Sequence, residues 1–205
     1  MSPLPRIDQM MTYDASDGYV LLYGGWSGQK GSVATETWTF DSHGWTNITA
    51  NQSVSPPDIA RGAMVYDAAA GYVLFRAGGM TGLYGSPSAS NQTWKFAGGH
   101  WSRLSPSASP PLDYRFGMVY DAYDHEVLSF GGAGLSNVTW AFSNGSWSRI
   151  TSLSGHPSPG GLIDPLMVYD SRSQHVVMIG GCHRHCNVDR TWLFQSGQWH
   201  SLRQP

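Results

Sequence analysis

Charge is scarce in this chain. Charged side chains make up 13% of its 205 residues, about half the share of an ordinary soluble domain. Lysine occurs only at Lys30 and Lys95 and glutamate only at Glu36 and Glu126. With a net charge of -2 and no clustered arginines, the chain carries no electrostatic footprint for nucleic acid or anionic lipid. No apolar run approaches the ~18 residues of a membrane helix, so no direct membrane insertion is expected. The start, Met1-Ser2-Pro3-Leu4-Pro5-Arg6, has no apolar h-region, and no signal peptide is visible. Gly-x-Ser-x-Gly, His-Glu-x-x-His and phosphate-loop patterns are all missing. A two-acid glycosidase would have to rely on aspartates, most of which fall in turns. No catalytic residue is assigned, and a non-enzymatic role is the expectation.

What the chain has is glycine and aromatics, with Gly 25, Trp 9 and Tyr 10, a composition suited to short strands and tight turns. These residues recur in a fixed order. Tyr-Asp appears at Tyr13-Asp14, Tyr66-Asp67, Tyr120-Asp121 and Tyr169-Asp170. A glycine pair follows each time: Gly24-Gly25, Gly78-Gly79, Gly131-Gly132 and Gly180-Gly181. Thr-Trp comes next, at Thr37-Trp38, Thr93-Trp94, Thr139-Trp140 and Thr191-Trp192, and a second Trp closes each unit at Trp45, Trp101, Trp147 and Trp199. The period is about 50 residues, a propeller-type repeat length. The first unit reads as strand a (residues 9–13), strand b (18–23), strand c (37–40) and strand d (45–49). An Asp-led turn joins a to b, and loops tolerant of positive φ join c to d. The glycine pair is expected where backbone passes close to an aromatic ring. The Ser/Pro-rich d–a connections fit loops better than strands. The fold class is all-β, with units at about 1–54, 55–108, 109–157 and 158–205 in a single domain.

Strand b ending in Gly-Gly, an aromatic in strand c and the Trp opening strand d resemble the kelch repeats of kelch and galactose-oxidase-like propellers. The resemblance covers essentially the whole chain. The Tyr-Asp and Thr-Trp-x-Phe form is similar to repeat arrays of archaeal surface proteins. It implies a β-propeller of four-stranded blades, strand a innermost and strand d outermost. Kelch propellers commonly have six or seven blades and lend a strand across the termini, whereas this chain runs from one strand a to one strand d. Three arrangements therefore stay open: a closed four-blade ring, a piece of a larger propeller, and an open half that pairs with a second copy. The Pro-rich start favours a fragment. Exposed end blades would be a liability for a soluble monomer.

Residues that break the repeat are the candidates for function. The Trp landmarks do not break it and read as core. Arg76 stands where Tyr23, Phe130 and Ile179 stand in the other units. It reads either as a contact in a central channel or, preferably, as rotated outward by a bulge at Ala77-Gly78-Gly79. Cys182-His183-Arg184-His185-Cys186 is the densest cluster. A Cys182–Cys186 disulfide is the preferred reading; copper or zinc on Cys182, His183, His185 and Cys186 is the alternative. Otherwise no cofactor is expected, since the ligand set of a copper oxidase is not matched and oxidase activity is not carried over.

Five of the six asparagines lie in Asn-x-Ser/Thr: Asn47, Asn51, Asn91, Asn137 and Asn144. Ser and Thr form about a fifth of the chain, so roughly one such site would arise by chance. Glycosylation there and a disulfide both point outside the cell. In kelch-type propellers the b–c and d–a loops share a face, which here offers Trp26, Tyr84, Arg115, His183 and Arg184, with Arg76 as a further candidate. The expectation is a non-catalytic, extracytoplasmic module binding protein or glycan partners. A sugar-processing metalloenzyme and a structural spacer in a larger surface protein are the alternatives.

Overall fold

A computed structural model describes residues 1–29, 31–79, 90–151, 157–182 and 190–202. The chain is all-β. Four four-stranded antiparallel sheets follow one another, each in a simple meander of sequential order. Sheet 1 contains β1 (Met10–Asp14), β2 (Tyr19–Tyr23), β5 (Thr37–Asp41) and β6 (Gly44–Asn47), with a small ribbon of β3 (Trp26–Ser27) and β4 (Ser32–Val33) inserted between β2 and β5. Sheet 2 runs through β7 (Ala63–Asp67), β8 (Tyr72–Arg76), β9 (Thr93–Ala97) and β10 (His100–Leu104). Sheet 3 has β11 (Phe116–Asp121), β12 (Glu126–Gly131), β13 (Thr139–Ser143) and β14 (Ser146–Ile150). Sheet 4 has β15 (Leu166–Asp170), β16 (His175–Ile179), β17 (Thr191–Gln195) and β18 (Gln198–Leu202). Among the described residues the single helical turn is 3-10, Thr49–Asn51.

The sequence landmarks explain the sheets. Each Tyr-Asp closes a first strand, and its aspartate caps the turn that follows. Asp14 Oδ1 accepts from Ser16 N at 3.1 Å, Asp67 Oδ1 from Ala69 N at 3.1 Å, Asp121 Oδ1 from Tyr123 N at 2.9 Å, and Asp170 Oδ1 from Arg172 N at 3.0 Å. The last hairpins of sheets 2, 3 and 4 turn through Gly98-Gly99, Asn144-Gly145 and Ser196-Gly197, all at positive φ, the geometry that matches strand twist. The glycine pairs do something other than expected. A Cβ on Gly24 would lie 2.6 Å from the Ile59 carbonyl oxygen, and one on Gly78 or Gly131 would collide with the Arg61 or Leu162 carbonyl. At these three glycines the close neighbour is the backbone of an adjoining connection, not an aromatic ring. A side chain there would have to push main chain aside.

The chain divides into two compact units, Met1–Tyr114 and Arg115–Pro205. In the first, β1 of sheet 1 packs on β7 of sheet 2. The core between these sheets is an aromatic cluster in which Trp101 meets Tyr23 at 5.3 Å, Phe75 at 5.8 Å and Phe96 at 5.0 Å, with tilts of 61–65°. In the second, β11 packs on β15, and Trp199 meets Phe130 at 5.4 Å and Phe194 at 5.0 Å. Edge-to-face pairs of this kind add about 0.5–1.5 kcal/mol each beyond the area they bury.

The polar ends of Trp101 and Trp199 are satisfied across the same seams. Trp101 Nε1 donates to Thr37 Oγ1 at 3.0 Å, and Trp199 Nε1 to Thr139 Oγ1 at 2.8 Å. The Thr of one Thr-Trp landmark thus receives the closing Trp of the following repeat. That is why these two landmarks recur together.

Candidate functional site

In a meander of this order the b–c and d–a connections leave each sheet at one end. Sheet 1 shows how that end is held. Ile7 N donates to Trp26 O at 3.0 Å and Trp26 N to Ile7 O at 2.8 Å, tying the residue after the glycine pair to the chain entering β1. Sheet 4 repeats the device: Ile163 N donates to Cys182 O at 2.9 Å and Cys182 N to Ile163 O at 2.8 Å. Trp26 and Cys182, both singled out from the sequence, therefore occupy equivalent positions.

Trp26 is half-buried and lines a shallow cavity of about 360 Å³ with Pro5, Arg6, Ile7 and Gly28. The floor is fixed by Arg6. Its guanidinium donates to Gly24 O at 3.1 Å and meets Glu36 Oε2 at 3.2 Å, while Nε donates to Leu4 O at 3.0 Å. The arginine side chain is only 3% exposed, so it acts as a clamp beneath the cavity and leaves an apolar, Trp-walled opening above.

Arg76 is corrected by the structure. It pairs in register with Ala63 and Thr93, with no bulge, and its side chain is buried. The physical reason is a partner from the next connection: one terminal nitrogen donates to Pro111 O at 3.2 Å, and Asp113 supplies opposite charge. Burial pushes the guanidinium down to about 9, opposed by Asp113. The group stays charged at neutral pH. Tyr23, at the equivalent place in sheet 1, makes the same kind of bond, its hydroxyl donating to Pro56 O at 2.6 Å.

Arg115 adopts φ 62° at the position held by Asp8, Arg61 and Asp164 in the other repeats, all in the left-handed region. It forms an ion pair with Asp164, just as Arg61 does with Asp8 at 2.8 Å. Its guanidinium is thus committed to a neighbour, although partly exposed. In the second unit a further cavity of about 530 Å³ is lined by Asn137, Val138, Arg149, Ile150, Thr151 and Ser158.

Tyr84, His183, Arg184, His185 and Cys186 lie outside the described residues. Cys182 is disulfide-bonded, and the chain's other cysteine is Cys186. Among the described residues no three His, Cys, Asp or Glu side chains are grouped to hold a metal ion. All five sequon asparagines, Asn47, Asn51, Asn91, Asn137 and Asn144, are exposed.

Two features escaped the sequence reading. One is the Arg6–Glu36 clamp, whose partners lie 30 residues apart. The other is at the opposite end of sheet 3, where burial, then Asp124 and Asp121, pushes Glu126 up to about 7. Asp124 is itself fixed, accepting from Ser196 N at 3.0 Å. The signal for this cluster was legible as three acids in the six residues from Asp121 to Glu126.

No family model matches the chain, and no curated protein shows significant similarity to it.

Proposed function

We propose that the four meanders are blades of a kelch-type β-propeller and that the chain is a non-catalytic, extracytoplasmic binding module. The blade reading is supported by sequential strand order in every sheet and by first-strand contacts between adjacent sheets of each unit. The observation that carries the binding role is the cavity at the loop end of sheet 1. There the half-buried Trp26 stands over a clamped Arg6, giving an apolar wall on a rigid base. Such a surface suits the ring face of a sugar or an apolar side chain of a protein partner. Exposure of all five sequon asparagines and the disulfide-bonded Cys182 support a location outside the cytoplasm.

The test has two parts. Intact mass of the natively produced protein, with and without reductant, is expected to show added glycan and a Cys182–Cys186 disulfide. Screening the full chain on a glycan array and a surface-protein panel is expected to give binding that Trp26→Ala abolishes without loss of fold. A bare mass with free thiols would overturn the location, and binding unchanged in Trp26→Ala would overturn the site.

A further inference from the structure

We infer that the open face of sheet 4 docks on the open face of sheet 1 of a second copy, head to tail, repeating the sheet–sheet seam found inside each unit. This does not depend on what the loop end binds.

The repeat supplies the comparison. In both units, one face of the later sheet covers the opposite face of the earlier one. The covering face of sheet 2 includes Met64, Tyr66, Phe96 and Trp101, and that of sheet 4 includes Met167, Tyr169, Phe194 and Trp199; all belong to the cores described above. The equivalent residues of sheet 1 are Met11, Tyr13, Phe40 and Trp45. Phe40 is 42% exposed where Phe96 and Phe194 are 0%. Met11 and Tyr13 are exposed, and Trp45 is half-buried with Phe40 stacked on it at 5.0 Å. Leu22 and Trp38 on this face are buried, so the open part is the patch formed by these four.

The covered face shows the reciprocal difference. In sheet 1 it includes Met10, Leu21, Tyr23 and Ile48, all packed in the core. In sheet 4 the equivalents of Met10, Tyr23 and Ile48 are Leu166, Ile179 and Leu202, exposed by 62%, 48% and 49%. The hydrogen bond has the same gap. Thr37 and Thr139 receive the indole N–H of the next repeat, whereas Thr191 is half-exposed. Neither the Thr191 hydroxyl nor the Trp45 indole N–H has a hydrogen bond among the described residues.

Sheet 4 therefore presents a Thr-bearing apolar face and sheet 1 a Trp-bearing apolar face. The two are complementary by the same pairing the molecule uses internally. A second copy is the occupant that supplies both. The contact is heterologous: it closes into a ring if the rotation permits and otherwise extends.

The experiment uses the full chain and measures mass in solution across a concentration series. Wild type is expected at twice its 22.4 kDa or more. Phe40→Glu and Ile179→Glu, both at exposed positions and checked for fold by circular dichroism, are each expected to be monomeric alone. Mixed, they should form a one-to-one pair, because each retains the face the other lacks. Thr191→Val should weaken wild-type association about ten-fold by leaving the indole N–H unpaired. A wild type that stays monomeric at every concentration, as closure within one chain would give, overturns the inference. So does a Phe40→Glu/Ile179→Glu mixture that stays monomeric, or either variant dimerising alone.

Discussion

The Trp101 indole N–H donates to the Thr37 hydroxyl at 3.0 Å, from the last strand of sheet 2 to the third strand of sheet 1. Both groups are buried, so the bond is made where water cannot replace it. Thr37→Val keeps the shape and removes the acceptor, leaving a buried donor unpaired. The expected cost is about 1–3 kcal/mol of stability, and the same for Thr139→Val beneath Trp199. Urea unfolding at constant slope measures it. A cost below about 0.5 kcal/mol would mean that the aromatic cluster alone holds the seam.

Arg76 and Asp113 should respond unequally to substitution. Arg76 fills a site where the other repeats place Tyr23, Phe130 and Ile179, and it is buried beside the opposite charge of Asp113. Asp113→Ala would strand that cation in the core, at an expected cost of about 3–5 kcal/mol. Arg76→Met removes the charge and keeps the volume, so it should change stability by less than about 1 kcal/mol and should rescue Asp113→Ala. Comparing the two singles with the double in a thermal-unfolding cycle checks this. An Arg76→Met variant as damaging as Asp113→Ala would show that the ion pair is a net source of stability.

The turn after each first strand also separates the repeats. Its fourth residue beyond the aspartate takes positive φ every time: Gly18 at 77°, Gly71 at 72°, His125 at 56° and Gln174 at 59°. Two repeats use glycine and two hold a side chain in the left-handed region. His125→Gly and Gln174→Gly are each expected to stabilise by about 0.5–1 kcal/mol, since a non-glycine residue there carries roughly 1–2 kcal/mol of strain, partly offset by glycine's larger entropy loss. Gly18→Ala and Gly71→Ala should do the reverse. Chemical denaturation of the four variants decides it; equal effects at all four sites would refute the strain argument.

How far the sequence was legible follows from the range of each interaction. Strand order, turn capping by Asp14, Asp67, Asp121 and Asp170, and the buried closing tryptophans Trp101, Trp147 and Trp199 came from patterns within one repeat. The errors came from partners in another segment. Arg76 looked like a charge to be turned outward because Asp113 and Pro111 sit in a Pro-rich connection that carries no local sign of folding back. The glycine pairs were assigned to a ring because the carbonyl they approach, at Ile59 or Leu162, belongs to any residue type and leaves no trace in composition. The difference between Phe40 and Phe96 is invisible in Thr-Trp-x-Phe, since the motif is the same and only the neighbour differs.

Glu126 makes the folding equilibrium sensitive to pH. Burial, then Asp124 and Asp121, raises it from 4.5 to about 7 in the native state. Between those values the native protein holds a proton that the unfolded chain has released. Stability therefore falls as pH rises through this window and levels off above it. Asp14, Asp67 and Asp121 are raised by burial as well, which deepens the acidic side of the same trend. Glu126→Gln mimics the protonated form. It should match wild type near pH 4 and exceed it at pH 8 by roughly 1 kcal/mol, after allowing for solvent screening of a partly exposed group. Melting temperatures of both proteins across that range measure the difference. Parallel curves would place the Glu126 carboxyl at its ordinary value and remove the acidic cluster as a source of pH dependence.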